Sequence, residues 1–203
     1  MESTQKYLIE RVLKKGIYIP TLVWTKNQTD GIGSRNNHWE GGEGNLFLSF
    51  VVDINSLPSD LPIASASIYF SYLIKEVLSR YRKDIFVKWP NDLYINGDKV
   101  GGIITKKIDN TLICGIGVNL KSNTNRFVSL NIDEKLSNII DQFICNLNTR
   151  PSWKYIFTKY YVEFEKNRDI FATIDGKKLN LRGAILDKDG SLIIDNRRFY
   201  SLR

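Results

Sequence analysis

Apolar and polar positions switch between two periods along this chain, and the switches mark its elements. Over residues 4–15, Leu8 with Val12 and Ile9 with Leu13 stand four apart, the spacing of one helical face, with Ser3 or Thr4 placed to cap it. Residues 17–24 form an apolar, β-branched run that predicts a strand. Residues 25–45 hold few apolar side chains and predict a loop, of a length (about 20 residues) that marks function or disorder inside a compact domain. Strand character resumes over 46–53.

Residues 61–82 read as the clearest helix, with Pro62 near its start and Ile68, Leu73, Val77 and Leu78 on its apolar face. Two strand-like runs follow, Ile85-Phe86-Val87 and Leu93-Tyr94-Ile95, broken by Lys88-Trp89-Pro90-Asn91-Asp92. Pro90 removes a backbone donor and Asn91-Asp92 is turn chemistry, so a rigid, polar-tipped kink is expected there, a place for a binding site. Residues 100–107 and 111–118 predict a hairpin around Asp109-Asn110, and residues 133–147 and 151–166 two further helices. Beyond about residue 170, four short strands with Asp-Gly-type turns predict a small β-barrel or meander packed on the main domain, which divides the chain into 1–168 and 169–203.

Composition narrows the function classes. The 203 residues, 42% hydrophobic and 25% charged, have the balance of an ordinary globular protein, and no apolar run approaches the ~18 residues a membrane span needs. Residues 1–15 lack the apolar centre of a signal peptide, so a cytoplasmic location is expected, with no membrane partner. Cys114 and Cys145 lack metal-ligand spacing and read as buried thiols; with one histidine in the chain, no protein-borne metal site is expected. The net charge of +7 favours acidic partners, although the basic residues occur as dispersed pairs.

Three stretches carry candidate chemistry. In the long loop, Gly31-Ile32-Gly33-Ser34-Arg35 lets backbone amides converge on a phosphate beside a fixed guanidinium, with His38 and Trp39 close behind. Lys88 and Lys99 bring two amines to the kink, where a lysine can stabilise developing negative charge. Cys114-Gly115-Ile116-Gly117-Val118-Asn119 is a strand with glycines that allow a ligand to lie against backbone.

In this order these stretches resemble the biotin protein ligase family. The resemblance runs from Ser3-Thr4, which match the family's Ser-Thr-Asn opening, through Gln28 and the glycine loop, Lys88 to Asp92, Lys99-x-Gly101-Gly102-Ile103 and Gly115 to Asn119. It ends at Arg182-Gly183-Ala184-Ile185-Leu186. It implies an α+β fold, a mixed or antiparallel sheet with helices mainly on one face in a class II synthetase-like catalytic domain, plus an SH3-like C-terminal barrel. It also implies a two-step ligation, in which biotin and ATP with Mg²⁺ give biotinyl-5′-AMP and the acyl group passes to a lysine of a biotin carboxyl carrier domain. Carried over by position, Lys99 and Arg35 take the catalytic roles. Ser3, Thr4, Gln28, Gly31, Lys99, Gly102 and Gly115 match the biotin side, and Gly33, Arg35, Trp39, Asn91 and Asn119 the nucleotide side; Gly117 lets the ligand approach backbone. Only two residues precede Ser3, so no winged helix and no nucleic-acid binding are expected; a homodimer made by joining sheet edges is an assembly the family allows.

The chain departs from the family pattern in the loop and the opening. Ile32, Ser34 and Asn37 stand where arginines are usual, leaving Arg35, and Gln5 replaces the asparagine of the opening. Removing one bidentate arginine–phosphate pair costs ~1.5–3 kcal/mol. Two rivals therefore stand beside the ligase: a binding module that retains biotin or its adenylate without turnover, and a lipoate-type ligase, against which the Lys-Trp-Pro-Asn-Asp signature argues.

Overall fold

The computed structural model describes residues 1–34, 37–39, 42–121 and 128–201. Helix α1 (Thr4–Leu13) is capped by Ser3, whose Oγ accepts the Lys6 N–H at 3.3 Å. Strand β1 (Thr21–Thr25) begins at Thr21, not at residue 17: Pro20 offers no N–H to a ladder, and the apolar Tyr18 before it is 91% exposed. Inside the expected loop two short strands, β2 (Gly31–Ile32) and β3 (His38–Trp39), pair with each other. Strand β4 (Leu46–Asp53) is buried from Leu46 to Val52.

The expected long helix is shorter, α2 (Ala66–Leu78). Pro62 leads into a single 3-10 turn, Ile63–Ser65, and at the other end the Ser79 hydroxyl turns back onto the Lys75 carbonyl at 2.8 Å. Then follow β5 (Phe86–Lys88), β6 (Asp92–Ile95), β7 (Asp98–Ile108), β8 (Thr111–Val118), α3 (Leu136–Thr149) and α4 (Trp153–Lys166).

The main sheet runs β1-β4-β8-β7-β6-β5, antiparallel at every step. Its alternation sorts two faces. Leu46, Leu48, Phe50 and Val52 of β4, with Leu112, Cys114, Ile116 and Val118 of β8, join the large core beneath α2, α3 and α4, where Phe50 packs edge-on to Phe70 at 4.9 Å. On the other face, among the described residues, α1 is the helix that covers part of the sheet, setting Leu8 on Val51 and Ile113. Three helices on one face and one on the other explain why β4 reads as a continuous apolar run. The part of this face that α1 leaves uncovered is where the functional residues gather.

The tail forms five strands, one more than the sequence predicts, in two sheets: β9 (Phe171–Ile174) with β10 (Lys177–Asn180), and β11 (Ile185–Leu186), β12 (Leu192–Ile194) and β13 (Arg197–Phe199). Ala172, Ile174, Leu181, Ala184, Leu186 and Leu192 join the same core as the main sheet. One expectation needs correction here. Cys114 is buried, its thiol pushed well up by desolvation, but Cys145 is exposed. The buried stripe of α3 is Ile139, Ile140 and Phe143, and two residues past Phe143 the helix has turned to the solvent side. On α4, Tyr160 and Phe164 are core whereas Tyr161 is 42% exposed. Among the described residues no helix is long and apolar enough to cross a membrane.

Candidate functional site

Strand register builds the floor of the site. Gly117 of β8 stands opposite Gly102 of β7, Gly102 opposite Asp92 of β6, and Asp92 opposite Lys88 of β5, so these four residues form a row across four strands. The next row is Ser49, Gly115 and Ile104. Both rows lie on the face opposite the large core, and above them opens a cleft bounded by the first turn of α1, the β2–β3 hairpin and the kink after β5. A wider chamber continues from it past Lys88, Tyr94 and Lys99 to Thr173 and Ser201 of the tail.

One end of the cleft is polar. Gln28 Oε1 accepts both the Thr4 N–H at 2.8 Å and the Thr4 hydroxyl at 3.1 Å, and Thr4 Oγ1 lies 2.8 Å from Ser49 Oγ. Beside them Gln5, 4% exposed, presses its amide on Gly115; a Cβ there would meet Gln5 Oε1 at 2.7 Å. The indole of Trp39 lies on Gly117, where a Cβ would fall 2.6 Å from the ring. Gln5 Oε1, Trp39 Nε1 and Asn119 Oδ1 are buried without a hydrogen-bond partner among the described residues. Such atoms cost free energy in an empty protein and recover it when a polar ligand supplies the partner.

The other end carries charge. Lys99 Nζ lies 2.5 Å from Asp92 Oδ1 and 5.7 Å from the centre of the Trp39 ring. Lys88 donates to the Tyr94 hydroxyl at 2.8 Å and sits over that ring. Burial pulls the Lys88 amine below the ordinary lysine value against the opposing pull of Asp92, and burial raises the Tyr94 phenol. A cation beside a carboxylate, in a half-dry cleft, can exchange its protein partner for an anionic ligand.

Most sequence-predicted residues meet here. Ser3, Thr4, Gln28, Gly33, Trp39, Asn91, Lys99, Gly102 and Gly115 line the cleft. Gly31 sits at its rim in β2, packed under the Trp39 carbonyl. Ser3 spends its hydroxyl on the helix cap. The Asn91 side chain donates to the Ile103 carbonyl, which fixes the kink against β7. Asn119, one residue past β8, does not reach the cleft wall; its amide donates to Val128 O at 3.3 Å. Arg35 lies outside the described residues. His38 is exposed and approaches Asp30 at 3.3 Å. Trp89, at the centre of the kink, is core: it is 1% exposed and donates to Gly190 O at 3.0 Å, so the kink presents Lys88, Asn91 and Asp92, not its indole. Sequence reasoning gave no site role to Gln5, Ser49 or Asp92; the signals were the unusual glutamine in the opening motif and the place of Asp92 in the kink expected to hold a binding site.

The model of the biotin/lipoate A/B protein ligase family matches residues 1–123. The chain belongs to this family. Among curated members it is 30% identical over 129 residues to the bifunctional ligase/repressor BirA of Escherichia coli, covering 59% of this chain and 38% of that one. It is 26% identical over 156 residues to biotin–protein ligase 2 of Arabidopsis thaliana, covering 71% and 44%. The chain thus spans less than half the length of these relatives. A solved structure of the biotin acetyl coenzyme A carboxylase synthetase from Helicobacter pylori with bound biotinylated ATP superimposes with a TM-score of 0.93 at 33% identity, over 98% of this chain and 95% of that one. The biotin protein ligase of Aquifex aeolicus in complex with biotin and ATP gives 0.79 at 19% identity over 100% and 92%, a likeness of fold.

Proposed function

We propose that this family member is an ATP-dependent biotin protein ligase. The carboxylate of biotin attacks the α-phosphorus of ATP and pyrophosphate leaves; the amine of a lysine on a biotin carboxyl carrier domain then attacks the acyl carbon of biotinyl-5′-AMP and AMP leaves. The observation that carries biotin over lipoate is the polar end of the cleft. Thr4, Gln28, Ser49 and the unpartnered Gln5 Oε1 suit a ureido ring with two N–H donors and a carbonyl, whereas a dithiolane ring would leave the buried Gln5 Oε1 unpaired, an effective basis for rejecting an analogue.

In this reading Ser3, Thr4, Gln28, Gly31, Gly102 and Gly115 hold biotin. Lys99 leaves Asp92 to meet the biotin carboxylate and the phosphate oxygens, stabilising charge that grows as the new anhydride forms. Gly33, Arg35, Trp39 and Asn91 serve the nucleotide, with Arg35 taking the duty of the missing arginines. Among the described residues no three His, Cys, Asp or Glu side chains cluster to hold a metal, and Asp92 is the carboxylate on the cleft wall. One carboxylate plus phosphate oxygens is an ordinary Mg²⁺ set, so the residues fit a cation delivered with ATP, which would neutralise the triphosphate. Residues 1–168 form the catalytic unit and 169–203 the smaller one, acting in the cytoplasm, and the open edge at β1 is where a second copy would add its sheet.

The deciding experiment is mass spectrometry of a biotin carrier domain incubated with this protein, biotin and MgATP. One added biotin on one lysine is expected. No addition, with biotin still bound by calorimetry, would replace the ligase with the retaining module.

A further inference from the structure

Lys88 owes its place on the cleft row to backbone that is anchored on both sides of it. Strand β5 is the three-residue edge of the main sheet, and short edges fray because one side of their backbone has no strand partner. Yet the outward N–H of Val87 donates to Glu163 Oε1 of α4 at 2.7 Å. The second oxygen of the same carboxylate pairs with Lys75 Nζ of α2 at 2.5 Å, and both side chains are only 14% exposed. On the far side of Lys88, Trp89 is tied to Gly190 O.

A largely buried ion pair is a poor way to add stability, because desolvating two charges offsets most of their attraction. Here the carboxylate does something an apolar side chain could not: it stands where the edge strand presents a donor that no strand takes. We propose that Glu163 is a positioning residue for the nucleotide end of the cleft. It takes the place of a seventh strand on β5 and so fixes the backbone from which Lys88 projects and against which Asp92, its cross-strand neighbour, holds Lys99. The proposal rests on the ligase reading for its effect on rate, but not for the clamp itself.

Two double variants isolate the hydrogen bond from the charges. Lys75→Met with Glu163→Gln is neutral and keeps a carbonyl acceptor for Val87; Lys75→Met with Glu163→Leu is neutral and removes it. The first is expected to form adenylate with kcat and KM for ATP within about twofold of the wild type, whereas the second loses about tenfold in kcat/KM for ATP, a displacement effect exerted from outside the cleft. Hydrogen exchange resolved at the Val87 amide of the full chain is expected to show protection in the wild type and the glutamine variant and loss of protection in the leucine variant. Equal rates and equal exchange in the two folded variants overturn the proposal. If the leucine variant does not fold, an unprotected Val87 amide in the wild type overturns it alone, and a protected one supports it. A wild type that protects Val87 but does not biotinylate refutes the ligase reading and leaves the clamp standing.

Discussion

Replacing Gly117 by alanine tests the placement of Trp39 without touching a charged group. The three atoms nearest a Cβ at this position all belong to the indole: Cε2 at 2.6 Å, Nε1 at 2.7 Å and Cζ2 at 3.0 Å. Ordinary carbon contacts are ~3.5–4.0 Å, so the ring must retreat by roughly 1 Å. It can do so, because β3 is two residues long and pairs only with the two-residue β2. The backbone cost is small or favourable, since alanine narrows the unfolded ensemble by ~0.4–1 kcal/mol relative to glycine where the native conformation suits it. Stability is therefore expected to stay level while ligand binding suffers. An aromatic face displaced by 1 Å forfeits much of a stacking interaction worth ~0.5–1.5 kcal/mol, which is about a two- to tenfold rise in KM for ATP. The assay is pyrophosphate release at saturating biotin, with a thermal melt alongside. An unchanged KM for ATP at an unchanged melting midpoint would refute the placement of the indole against the nucleotide.

Two further outcomes follow from the charged and capped positions. Lys99→Gln is expected to lower kcat for adenylate formation ~10²–10³-fold with the fold intact, the usual cost of removing one donor to developing charge; normal turnover in the folded variant would sink the role given to Lys99. Asp60 accepts the Trp153 and Lys154 N–H groups at the start of α4, at 3.0 and 2.9 Å. Burial alone would raise its carboxyl, but those donors outweigh it and hold the group below its usual 3.8. A depressed carboxylate contributes stability above its unfolded pKa and loses it as pH falls through the folded value. The midpoint difference between the wild type and Asp60→Ala, ~1 kcal/mol at neutral pH for removal of a cap, should therefore shrink below about pH 4. A difference constant down to about pH 2.5 would show that the cap carries no charge.

What the chain determined by itself is local. The pairs Leu8/Val12 and Ile9/Leu13 were enough for α1, and the apolar run of β4 and the Asp109-Asn110 turn between β7 and β8 were legible because periodicity and turn chemistry act within a few residues. The kink was legible for the same reason, since a proline and an Asn-Asp pair leave little conformational choice. Motif order also gathered most of the cleft. What sequence could not decide is which way a side chain goes when two long-range partners compete. Trp89 belongs to a site motif, yet its indole goes to the core because Gly190, 101 residues on, offers a carbonyl there. Cys145 is apolar in character but falls off the buried stripe of α3 by a rotation of two residues. Ser49 became a cleft residue only when register laid it beside Gly115, and Asp92 joined the row under the cleft only when register laid it beside Gly102. Glu163 met Val87 across 76 residues. Hydrogen bonds and burial at these positions are set by packing between elements, which no local pattern encodes, and they decide which groups a ligand finds unpaired.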